Sequence, residues 1–131
     1  MLEKNVMIVD DNNLIGSVMK RHLDTFIREV AIAPTGEMAI EILQQGYFDV
    51  VILDINLPGM SGWEVLAKIR ELSPETKVII ITACVMEDDR TMALRRGAFD
   101  LLPKPFYLRR LDQAIYRAVG GRQIKHDYVS L

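Results

Sequence analysis

The sequence predicts an α/β protein built on a doubly wound five-stranded parallel sheet of order 2-1-3-4-5, and three observations carry that expectation. Short runs of β-branched and aliphatic residues alternate with segments whose apolar residues recur at helical spacing, five of each. Three of the runs, Val6 to Val9, Val50 to Leu53 and Val78 to Ile81, are apolar without interruption, as strands buried on both faces must be. Asp54 ends the middle one and Leu57-Pro58-Gly59 turns the chain away, so a carboxylate stands at the strand end where open parallel sheets bind ligands.

Taken in order, Val6 to Val9 is a first strand that hands over to a helix at Asp10-Asp11-Asn12-Asn13, and Leu14, Val18, Met19 and Leu23 give that helix its apolar spacing. Val30 to Ala33 is a short second strand. Pro34-Thr35-Gly36 then leads into a helix with Met38, Ala39, Ile42 and Leu43 on one face, closed by Gly46. After the Asp54 strand, Gly62 to Leu72 forms a third helix through Val65, Leu66 and Ile69, ended by Ser73-Pro74. Val78 to Ile81 is the fourth strand and stops at Thr82. Glu87-Asp88-Asp89 supplies negative charge at the start of a fourth helix, Met86 to Gly97. Phe99 to Leu102 is the fifth strand, followed by Lys104-Pro105 and a last helix with Leu108, Leu111, Ile115 and Val119 on its apolar face and Gly120-Gly121 at its end.

At 131 residues, half of them hydrophobic, the chain suits one domain with a sizeable core, expected over residues 1–121, with 122–131 as a C-terminal tail or the start of a linker. A net charge of −2 and a pI near 5.7 leave no basic footprint for direct nucleic-acid binding by this segment. No apolar run reaches the ~18 residues of a membrane span, and the first residues lead straight into a strand, so a cytoplasmic protein without membrane contact is expected. The single cysteine, Cys84, has no partner for an internal disulfide, in keeping with a reducing compartment.

With strand order 2-1-3-4-5 the topological switch falls between the first and third strands, and Asp10, Asp11 and Asp54 converge on one crevice. Three carboxylates in one cleft repel and call for a cation. An all-oxygen donor set without a His or Cys cluster suits a hard ion, and Mg²⁺ better than Zn²⁺. Lys104 at the end of the fifth strand adds a positive charge to the same edge, and Thr82 at the end of the fourth adds a hydroxyl. Acids for a metal, a carboxylate with a free nucleophilic oxygen, a lysine and a hydroxyl together describe phosphoryl transfer, with the carboxylate itself able to accept the group.

Asp10-Asp11 after the first strand, Asp54 after the third, Thr82-Ala83 after the fourth and Lys104-Pro105-Phe106 after the fifth resemble the receiver domain of bacterial two-component response regulators, over roughly residues 4–120. The resemblance implies the flavodoxin-like receiver fold, with Asp54 as acceptor of a phosphoryl group from a histidine kinase or histidine phosphotransfer protein. It implies that Asp11 binds Mg²⁺ directly, Asp10 partly through water, and Asn56 through its backbone carbonyl. It further implies Thr82 and Lys104 on the phosphoryl oxygens and a cis peptide before Pro105. One position departs from the family pattern: receivers commonly carry Tyr or Phe three residues before the lysine, and here the switch position is Leu101. Signalling is therefore expected to run through repacking of the Met86 to Gly97 helix and its preceding loop. A homodimer through the fourth helix, fifth strand and fifth helix is left open.

Plainer readings stand beside these. Asp10 and Asp11 alone would pass as a helix-capping pair, and Asp54 alone as a turn aspartate; the conjunction of four strand ends favours the receiver reading. Cys84 reads as a small buried filler, and in the receiver frame Asn56 and Cys84 flank the hydrolytic water. His22 and His126 read as surface residues, Arg109, Arg110 and Arg117 as a solvated helix face, and Trp63 and Phe99 as packing. A flavin-binding domain would want a phosphate-cradling loop where Asp10-Asp11 stands, and a phosphohydrolase would want a second acid where Asn56 stands. The remaining alternative is a receiver fold kept as a phosphorylation-independent protein-interaction module.

Overall fold

The apolar runs become five parallel strands in a computed structural model that describes residues 1–83 and 88–120. In chain order the elements are β1 (Leu2–Val9), α1 (Asn13–Leu23), β2 (Ile27–Ala33), α2 (Gly36–Leu43), β3 (Val50–Asp54), α3 (Gly62–Leu72), β4 (Lys77–Thr82), α4 (Asp89–Arg95), β5 (Asp100–Pro103) and α5 (Leu108–Ala118). The sheet order is β2-β1-β3-β4-β5, as expected, with every pairing parallel. β1 and β2 start earlier than their uninterrupted apolar runs, because backbone pairing such as Leu2 with Ile27 continues through residues whose side chains are polar.

Alternate residues of each strand feed two separate cores. Met7, Val9, Val51, Leu53, Val78, Ile80 and Leu101 pack on the side that carries α2, α3 and α4, with Ala39, Leu43, Val65, Leu66, Ile69 and Ala93. Val6, Ile8, Val50, Ile52, Ile79, Ile81 and Leu102 pack on the other side against α1 and α5, through Met19, Leu23, Leu111, Ala114 and Ile115. Phe99, half-buried, belongs to this second side, opposite Leu101.

Several side chains lie elsewhere than their spacing suggests. In α1 the face against the sheet is Ile15, Gly16, Met19 and Leu23, while Leu14 is 74% and Val18 50% exposed, since they sit about a third of a turn or more off that face. Met38 in α2 is likewise exposed. α2 ends at Leu43 on a right-handed Gln44, so Gly46, whose φ is not positive, does not close it; Gly97 and Gly120, at φ +96° and +67°, follow α4 and α5. α4 begins at Asp89 among the described residues, and the expected Met86 and Glu87 lie outside them.

One polar contact corrects a surface assignment and another adds a partner to an exposed residue. His22 is not a free surface residue: its Nε2 lies 2.8 and 2.9 Å from the two carboxylate oxygens of buried Asp112, joining α1 to α5, and its ring meets Phe26 edge-on while Phe26 stacks on Tyr116. Arg117, although half exposed, donates to Asp100 Oδ2 at 2.8 Å, and Arg90 of α4 donates to Asp100 Oδ1 and to the Leu101 carbonyl. Arg109 and Arg110 are exposed as expected. Trp63 packs half-buried against the first core, with the Arg96 guanidinium 4.9 Å from its ring centre.

α3 is seated close to the end of β3 by the absence of a side chain at Gly62. A Cβ there would lie 2.5 Å from Ile55 Cα and 2.7 Å from the Asp54 carbonyl oxygen, both backbone atoms that cannot rotate away. Gly62→Ala is expected to lower stability in urea unfolding by about 1–3 kcal/mol through forced displacement of that loop. Gly46→Ala, where nothing lies within 4 Å, should change stability by less than about 0.5 kcal/mol.

Candidate functional site

Parallel pairing carries the ends of β1, β3, β4 and β5 to one edge of the sheet. Asp10 follows the last residue of β1 and is anchored by its N–H to the Ala33 carbonyl, while Asp54 ends β3. Thr82 ends β4, and its carbonyl accepts from the Lys104 N–H at 2.8 Å, which fixes the first residue after β5 beside it. The Lys104–Pro105 peptide is cis, as the resemblance implied.

Within this edge the charges are arranged around one ammonium. Lys104 Nζ lies 3.3 Å from Asp10 Oδ2 and 3.2 Å from Asp54 Oδ2. The other oxygen of each carboxylate accepts a backbone N–H two residues on: Asn12 N–H to Asp10 Oδ1 at 2.9 Å, and Asn56 N–H to Asp54 Oδ1 at 3.0 Å. Asp11 is exposed, and one carboxylate oxygen from each of Asp10, Asp11 and Asp54 lies within 4.8 Å of the others.

Burial is the largest single influence on the protonation equilibria of Asp10 and Lys104, and it decides the direction for Asp10 alone. Asp10 is 1% exposed, and desolvation raises its pKa above the ordinary 3.8 against the opposing pull of the Asn12 N–H and of Lys104; the neighbouring Asp54 charge adds to the rise. For Lys104, desolvation works to lower the pKa, but the charges of Asp10 and Asp54 together outweigh it and the value is raised above 10.5. Three carboxylates thus gather where one ammonium pairs with two of them, a local excess of negative charge that a divalent cation would balance. Their donor set is all oxygen, with an exposed member able to share the ion with water, and it fits Mg²⁺.

The expected residues meet unequally. Asp10, Asp11, Asp54 and Lys104 are brought together, with buried Thr82 on the adjoining strand end. Asn56 is exposed just beyond Asp54. Leu101, 1% exposed, lies in the core beneath α2, α3 and α4 and not in the crevice. Cys84 and His126 fall outside the described residues. Asn12 was missed as a supporting residue, although an Asn just before a helical apolar pattern is an N-cap signal.

Comparison with known proteins decides the family. The model of the response regulator receiver domain matches residues 6–116. The chain belongs to the response regulator receiver domain family. The receiver is 36% identical over 113 residues to a protein-glutamate methylesterase/protein-glutamine glutaminase of Azospirillum brasilense, covering 83% of this chain and 29% of that protein. It is 35% identical over 113 residues to the transcriptional regulatory protein MalR of Bacillus subtilis, covering 85% of this chain and 48% of that one. Among solved structures, the CheY-like response regulator receiver domain protein of Methanospirillum hungatei superposes with a TM-score of 0.85 at 30% identity, over 91% of this chain and 95% of that one. The receiver therefore spans about half or less of these two curated relatives, while matching a solved receiver domain nearly end to end. Receivers of this family serve two-component signal transduction, and phosphorylation on an aspartate is typical of them.

The raised pKa of Asp10 has a stability consequence. A carboxyl whose folded pKa exceeds its unfolded value favours folding while protonated, and that contribution is lost as pH rises through the folded value. Asp10→Asn is therefore expected to raise the thermal midpoint at pH 7 in the absence of divalent metal. The gain should shrink as pH falls towards about 4, as read by differential scanning fluorimetry across that range.

Proposed function

We propose that this receiver accepts a phosphoryl group on Asp54 from a histidine kinase or histidine phosphotransfer protein in a Mg²⁺-dependent reaction. The observation that carries the reading is the convergence of Asp10, Asp11, Asp54 and Lys104 on the edge of the sheet where β1 and β3 adjoin. A carboxylate oxygen of Asp54 attacks phosphorus in line, the P–O bond to Asp54 forms as the bond to the donor breaks, and the electron pair leaves with the donor. Lys104 and the Thr82 hydroxyl receive the phosphoryl oxygens. Lys104 already stands 3.2 Å from Asp54, so it need not be recruited from solvent. Asp10, Asp11 and the Asn56 backbone carbonyl would hold the metal, which supplies charge neutralisation on the transferring group.

Donor recognition is supported by the side chains that α1 leaves uncovered. Leu14 and Val18, with Pro105, Phe106 and Leu108, line an open apolar groove of about 560 Å³ that has Lys104 at its edge. Such a groove suits an amphipathic helix that brings a phosphohistidine to the crevice. With Leu101 already filling the core, we assign signal output to movement of α4 and the segment before it rather than to an aromatic rotation. The reading includes a cytoplasmic site of action and no direct contact with nucleic acid or membrane. The net charge of −2 supports the reading that the receiver makes no direct contact with nucleic acid; among the described residues no helix is long and apolar enough to cross a membrane. Enzymatic output domains occur in the family, as the methylesterase relative illustrates. The receiver itself is read as a signalling module, with a homodimer through α4, β5 and α5 as a further arrangement.

Incubation with acetyl phosphate and MgCl₂ followed by intact mass is expected to add one phosphoryl group to the wild type and none to Asp54→Asn. Lys104→Ala should slow the gain about 10²-fold, the scale for losing one charge-stabilising donor. A wild type that never gains mass would leave the fold as a phosphorylation-independent interaction module. Val18→Glu should leave the acetyl phosphate reaction unchanged while weakening transfer from a histidine-phosphorylated donor that is active on the wild type.

A further inference from the structure

The support beneath Asp10 differs from that beneath Asp54 in one respect. Each carboxylate accepts an N–H from two residues on, but the residue that serves Asp54 lies in a loop, and α3 starts only at Gly62. The residue that serves Asp10 is the cap of a helix. Asn12 takes an extended backbone, φ −84° and ψ 102°, and its side-chain Oδ1 accepts from Ile15 N–H at 3.1 Å at the start of the 11-residue α1, while its carbonyl accepts from Gly16 N–H at 2.9 Å. Its own N–H points the other way, to Asp10 Oδ1 at 2.9 Å. Asn12 is exposed, so its side chain fills no core space and its bonds define its contribution.

We infer that Asn12 is a positioning residue for the divalent cation: by capping α1 it aims its backbone N–H at Asp10 and so couples metal affinity to the first turn of that helix. This inference rests on the Mg²⁺ reading of the preceding subsection. The physical need for it is specific. Among the described residues, Asp10 Oδ2 is held by Lys104, whose ammonium is shared with Asp54 and, in the proposed reaction, is drawn to the phosphoryl oxygens. Once Lys104 turns to that task, the Asn12 N–H is the contact that keeps the Asp10 carboxylate oriented. Groups that orient a metal ligand contribute to its affinity, and losing one typically costs about 10–100-fold. Coupling is reciprocal: a partner that orders the first turn of α1 tightens metal binding, and metal tightens that partner's binding by the same factor.

The test is titration of the full 131-residue chain with MgCl₂ by isothermal calorimetry, for wild type, Asn12→Ala, Asn12→Ser and Asp11→Asn, at a temperature where circular dichroism reports each folded. Asn12→Ala is expected to weaken Mg²⁺ binding on the order of 10-fold. Asn12→Ser, which restores a capping oxygen, should bind within about twofold of wild type. Asp11→Asn should lose most binding. The amide proton of residue 12, read by NMR without metal, should lie downfield in wild type and Asn12→Ser and move upfield in Asn12→Ala. A merely structural cap would lower the melting temperature of Asn12→Ala and leave the Mg²⁺ affinity unmoved, and that result overturns the inference while leaving the metal reading intact. A serine variant as weak as the alanine variant also overturns it. A wild type that takes up no Mg²⁺ overturns the metal reading together with the inference.

Discussion

One ammonium between two buried carboxylates is the constraint around which this protein is arranged. Asp10 and Asp54 are each almost wholly removed from water, so without Lys104 two like charges would face one another at short range with little screening. The lysine comes from β5, two strands away from β3 in the sheet, and reaches the pair because its backbone is tied to the end of β4 through the Thr82 carbonyl. The strand order thus sets the charge balance: β1 and β3 must be neighbours for the acids to meet, and β5 must lie on the β4 side for the lysine to reach across. Even so, the balance is incomplete, with Asp11 leaving an excess of negative charge at the surface of the same nest.

Much of this was legible in the chain. Uninterrupted apolar runs identify interior strands because a strand covered on both faces has no polar position to spare, and the residue that breaks such a run, Asp54, marks the functional edge. The charges of Asp10, Asp11 and Lys104 were readable for the same reason, since each lies within two residues of a strand end. What could not be read locally is whatever depends on the facing angle of a helix or on long-range pairing. Leu14 and Val18 repeat at helical spacing as well as Met19 and Leu23 do, and only the docking of α1 on the sheet decides which pair is covered. His22 and Asp112 are 90 residues apart, and Asp100 gathers arginines from two different helices. No periodicity encodes such partnerships. The cap at Asn12 is an intermediate case: its residue type and place were visible, but the direction of its backbone N–H was not.

The two faces of the sheet divide the labour. The face carrying α2, α3 and α4 holds Leu101, and α4 is tied to β5 there by Arg90, which grips both the Asp100 carboxylate and the Leu101 carbonyl. The face carrying α1 and α5 is closed by apolar packing beneath and leaves a greasy groove at its upper end beside Lys104. A change at the edge of the sheet therefore has two separate surfaces on which to register, since consecutive residues of every strand belong to opposite cores.

The contact between His22 and Asp112 gives α1 a mechanical character that its length alone would not. Its first turn is fastened through Asn12 to Asp10, and its last turn is fastened through His22 to α5. A helix pinned at one end can swing, whereas one bolted at both ends behaves as a strut: a push on its outer side is borne by the joints at its extremities rather than absorbed by bending along the shaft.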